Sequence, residues 1–74
     1  MTRLIRTYDD LVAALRARKD GLNISNETLD AISGTQPGYC GKLFGAAQVK
    51  SFGQMSLPAV LGGLGVALVM VEDS

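Results

Sequence analysis

The chain has no histidine, no tryptophan and a single cysteine among its 74 residues. One cysteine cannot form an intrachain disulfide, and without histidine beside it a metal site of the usual Cys/His kind is not expected. Aromatic residues amount to only 5%, so the core has to be built from aliphatic side chains. An excess of one charge is missing too, because seven Lys plus Arg balance seven Asp plus Glu. That neutrality argues against strong nonspecific attraction to a polyanion, although a neutral molecule can still carry a basic face. Arg3, Arg6, Arg16, Arg18, Lys19, Lys42 and Lys50 all precede residue 51, whereas Glu72 and Asp73 sit at the tail. Long hydrophobic runs are also lacking. The apolar stretch 57–71 is shorter than the roughly 20 residues a membrane-spanning helix needs, and Pro58, Gly62, Gly63 and Gly65 interrupt it. Residues 1–7 have neither the apolar core nor the cleavage site of a signal peptide. A cytoplasmic protein without a membrane partner is the expectation.

A chain this short has room for one domain with a thin core, and partner assembly would help to stabilise it. Its apolar fraction of 47% places it well outside the disordered class. Residues 1–7 read as an arm or short strand, 8–65 as a helical core and 66–71 as a C-terminal β-strand. Thr7 and Asp10 have the spacing of a capping box, and Tyr8, Leu11, Val12 and Leu15 form one apolar stripe on a helix over 8–19. Gly21 is its expected stop. A second helix begins after Ser25, a good N-cap, with Glu27 in its first turn. There Leu29 and Ile32 are expected to face the core and Ala31 to allow close packing. Gly34 ends that helix, and Pro37 is suited to open a third over 37–44 that buries Cys40, Leu43 and Phe44. Residues 45–54 read as a loop anchored by Val49 and Phe52. Ser56 is expected to cap a fourth helix that Gly65 terminates. The run VALVMV at 66–71 favours β-structure and needs a partner, either the RLIRT segment at 3–7 or the same strand of a second copy.

Two short helices punctuated by Gly34 and Pro37 have the outline of a helix-turn-helix, whose second helix enters the DNA major groove. In that reading Gln36 has the amide needed for paired hydrogen bonds to adenine, and Lys42 reaches a guanine edge or a phosphate. Thr35 and Gly38 lie at the same end of the helix. The bland alternatives are an ordinary solvated face for Gln36 and Lys42, and packing on helix two for Tyr39 in place of a phosphate contact. Arg16, Arg18 and Lys19 either grip phosphate or simply compensate the helix dipole. Arg3 and Arg6 are better explained as protection of a strand edge than as a minor-groove arm. Cys40 reads as a buried apolar filler, not a redox switch. Asp9 with Asp10, and Glu72 with Asp73, are neighbours in sequence only and have no catalytic companions. Neither an enzyme nor a cofactor is expected.

The segments LRARKDGLNIS, ETLDAISG, PGYCGKLFG and LGGLGV together resemble the Xre-type helix-turn-helix family, which includes lambda repressor and Cro. The resemblance covers most of the chain and implies a mainly α, lambda-repressor-like bundle of four or five helices. It also implies sequence-specific binding of a palindromic DNA site by a small homodimeric transcriptional regulator. A C-terminal strand after the fourth helix is similar to the Cro arrangement, which puts Val66, Leu68, Val69 and Val71 in a dimer interface. The chain departs from the family at Asp30, where a small Ala is usual, and at Ser33 and Thr35, where apolar residues are usual. The alternative is a protein-interaction module, an antagonist or adaptor, that keeps the fold and does not bind DNA.

Overall fold

In the computed structural model, which describes residues 3–45 and 51–72, four helices make up the regular structure: α1 (Tyr8–Gly21), α2 (Asn26–Ser33), α3 (Tyr39–Phe44) and α4 (Ser56–Leu64). The start of α1 follows from its sequence. Thr7 Oγ1 accepts from the Asp10 N–H at 3.1 Å, and the Asp10 carboxylate accepts back from the Thr7 and Arg6 N–H groups. The helix ends at Gly21 as expected, with Leu22 as its C-cap, and the chain then turns through Asn23 at φ 57. Asparagine tolerates the left-handed region better than most side chains, so it, not the glycine, takes the left-handed position.

Ser25 caps α2 by accepting from the Thr28 N–H at 3.1 Å, and Gly34 ends it at φ 75. The inward face of α2 is Asn26, Leu29, Asp30 and Ser33, at helical spacings of three and four. That face corrects two expectations, since Ile32 is 56% exposed and Ala31 is also exposed. The third helix begins at Tyr39, two residues later than Pro37 suggests, because Gly38 precedes it at φ 90. Ser56 is the first residue of α4, not its cap; its hydroxyl accepts from the Gly53 N–H at 2.8 Å. Gly65, at φ 67, terminates α4 as expected.

The core consists of Val12 and Leu15 from α1, Leu29 from α2, Cys40, Leu43 and Phe44 from α3, and Val60 and Leu64 from α4. Phe52 packs against its edge. The Val49 anchor and Lys50 lie outside the described residues. Across α2, α4 comes so close at Gly63 that a Cβ there would sit 2.6 Å from Ser33 Oγ.

Among the described residues no β-strand forms, which corrects the reading of 66–71 as a strand within this chain. Both 3–6 and 66–72 are irregular, and no ladder joins them. Val66 packs on the core, but Leu68, Val69, Met70 and Val71 are 50%, 83%, 92% and 71% exposed. β-Propensity alone does not make a strand; its N–H and C=O groups need a paired neighbour. Gly34 offers a test of the turn. Replacing it with alanine, at φ 75, should cost about 1–2 kcal/mol and lower the melting temperature by several degrees in thermal unfolding.

Candidate nucleic-acid interface

The turn between α2 and α3 is organised by a buried carboxylate. Asp30 Oδ1 accepts from Thr35 Oγ1 at 2.8 Å and from the Cys40 N–H at 3.0 Å, and its Oδ2 accepts from the Gly38 N–H at 2.9 Å. Its backbone carbonyl accepts from the N–H groups of Gly34 and Thr35 at 2.9 and 3.1 Å. Gly38 has no side chain with which to cap α3, so Asp30 performs that role from the preceding helix. Burial pushes the carboxyl up, but hydrogen bonding to Cys40, Thr35 and Gly38 outweighs it and holds the pKa below the ordinary value. The Cys40 thiol moves the other way, pushed up to about 12 by burial and then by the adjacent carboxylate. It is therefore a protonated filler at neutral pH.

Around this anchor the structure brings together Thr35, Gln36, Gly38 and Tyr39. Gln36 is exposed, and its backbone carbonyl accepts from the Tyr39 N–H at 3.0 Å. Lys42 is exposed one turn further along α3. The Tyr39 hydroxyl is not free for a phosphate. It donates to the Ser51 carbonyl at 2.9 Å and lies 2.8 Å from Ser56 Oγ, tying α3 to the start of α4. An open groove of about 380 Å³ lies between the turn and α4, with Thr35, Gln36, Tyr39, Met55, Ser56 and Ala59 on its walls. No charged side chain lines it.

The basic group on α1 is employed elsewhere. A guanidinium N–H of Arg16 donates to the Phe44 carbonyl, and Arg18 Nε donates to the Leu64 carbonyl at 3.0 Å. Phe44 ends α3 and Leu64 ends α4, so the two arginines cap the C-termini of other helices, where orphan carbonyls and the helix dipole favour a cation. Lys19 is buried with its ammonium 2.9 Å from Asp20. Sequence spacing placed these three on α1 but carried no signal for which carbonyls they would reach. Asp30 and Met55 carry no site role in the sequence reading and Ser56 only that of a cap, for the same reason, although an aspartate at a position that packs between helices is a visible anomaly.

Comparison with protein-family models, curated proteins and solved structures finds no match to this chain. The class shown is a small, mainly helical fold, with four helices among the described residues, two of them joined by a tight glycine turn, and no described helix is long and apolar enough to cross a membrane.

Asp30 provides a test of the turn's anchor. In Asp30→Asn one amide N–H₂ must face a donor, so a loss of about 1–3 kcal/mol is expected in urea unfolding at neutral pH. Because the folded pKa is depressed, the unfolded chain binds the proton first. Wild-type stability should therefore fall as pH drops below about 4, through the folded pKa, and the Asn variant should lack that part of the decline.

Proposed function

We propose that this protein is a sequence-specific DNA-binding protein that acts as a small homodimeric transcriptional regulator in the cytoplasm. The observation that carries the reading is the α2–Gly34–α3 unit, held by Asp30, with Gln36 exposed in the turn and Lys42 exposed on α3. A short helix anchored by its partner, with an amide in the turn before it and an ammonium on its surface, suits the major groove, where Gln pairs with adenine and Lys meets guanine or phosphate. Thr35 and Gly38 support the geometry from inside the turn, and Tyr39 positions α4. Arg16, Arg18 and Lys19 are not the main phosphate contacts in this reading, since each has a partner in the fold. Binding is the whole activity in this reading, with no catalytic step and no cofactor.

Homodimerisation is proposed through 66–71, where Val66 continues the core outward and Leu68, Val69 and Val71 present an exposed β-favouring run. Two such runs can satisfy each other's backbone groups and bury their apolar side chains. The same exposed tail, together with zero net charge, favours a second reading in which the fold is a protein-interaction module that docks a larger partner.

Selection from a pool of random duplex DNA at two salt concentrations separates the readings. The DNA reading expects a palindromic site whose affinity falls with log salt by about 0.9 per phosphate neutralised. Gln36→Ala should cost about 1–3 kcal/mol and relax one base position, whereas Lys42→Ala should weaken all sites alike and reduce the salt slope by about 1. A folded sample that enriches no duplex favours the interaction module. Val69→Asp, read by sedimentation, should yield monomer or insoluble protein if the tail pairs; an unchanged dimer would rule out that interface.

A further inference from the structure

We propose that Met55 supplies an apolar contact to the 5-methyl group of a thymine adjoining the base contacted by Gln36, which makes the interface selective for thymine at that position. The inference rests on the DNA-binding reading and assigns a second specificity residue within it. Met55 is 85% exposed, a large thioether side chain in water directly before α4. It shares the groove of about 380 Å³ with Gln36 and Thr35, and no charged side chain lines that groove to draw a phosphate into it. Base edges, by contrast, are neutral, and in the major groove the thymine 5-methyl is the distinctive apolar group.

The two side chains sit on segments joined through α3. Tyr39, whose N–H is hydrogen-bonded to the Gln36 carbonyl, bonds through its hydroxyl to Ser51 and Ser56, and Met55 is the residue before Ser56. Ser56 in turn holds Gly53, closing the turn that carries Met55. An amide and a thioether are thus presented on one face, one suited to adenine and the other to a methyl group. Methionine's unbranched, polarisable chain adapts readily to such a contact.

The test uses the duplex selected from the random pool and replaces each thymine in turn with uracil, which keeps base pairing and removes only the methyl group. One buried methyl corresponds to about a fourfold change in affinity. Wild-type protein should lose about that factor at one position per half-site, and Met55→Ser should bind the thymine and uracil duplexes equally. Because Met55 is exposed and stands at the cap position of α4, where serine is favoured, this variant should keep the wild-type circular dichroism and melt at or slightly above the wild-type temperature. DNA binding with no loss at any thymine, or a loss that persists in Met55→Ser, overturns the inference and leaves the DNA reading standing. Failure of the wild-type protein to bind any duplex overturns both.

Discussion

The Asp30 carboxylate is the constraint on which the rest of the fold depends. A helix of six residues, α3, cannot sustain itself, because its first N–H groups need acceptors and Gly38 has no side chain to offer. Asp30 reaches across from α2 to accept from Gly38, Thr35 and Cys40, so three donors of the turn and of the next helix converge on one group. Burying a charge costs free energy, and these charge-assisted hydrogen bonds offset it. Once α3 is set in this way, Cys40, Leu43 and Phe44 enter the core while Gln36 and Lys42 remain outside.

The other ends of the helices are secured by α1. Arg16 and Arg18 lie two residues apart on that helix and reach the last carbonyls of α3 and α4 respectively. Each guanidinium donates to a carbonyl at a helix C-terminus and complements the negative end of the helix dipole there. The consequence for function is a division of labour among the cations: those on α1 hold the bundle together, and Lys42 stands exposed on α3. That division is compatible with the proposed interface, in which neutral groups would do most of the reading.

The tail beyond Gly65 has a different physical status. A domain of this size buries too little surface to cover every apolar segment, and among the described residues no strand pairs with 66–71, whose Val66 N–H donates to the Leu61 carbonyl at 3.0 Å. Its exposed aliphatic run is a cost for an isolated chain and a resource for assembly. In the proposed dimer the same segment would complete the core through Val66 and place two recognition helices on one side of the particle.

Local signals were legible in the sequence. The Thr7 and Asp10 box, the Ser25 cap, the left-handed Gly34 and Gly65, and the apolar spacing of Val12, Leu15, Cys40 and Leu43 all depend on neighbours within about a helical turn. Ile32 shows the limit of such reasoning, since an apolar residue faces the core only if the neighbouring helices lie on its side. The β-favouring 66–71 run shows it again, because strand formation depends on a partner that local preference does not provide. Of the candidate site, the exposure of Gln36 and Lys42 was legible; the engagement of Tyr39, Arg16, Arg18 and Lys19 was not. By itself, then, the sequence determined where α1 and α2 start and where α2 and α4 stop, because caps and left-handed glycines act within a few bonds. Only the tertiary structure decided that Asp30 caps α3, that two arginines of α1 close α3 and α4, and that Met55 shares a groove with Gln36, because those contacts join residues that only packing brings together.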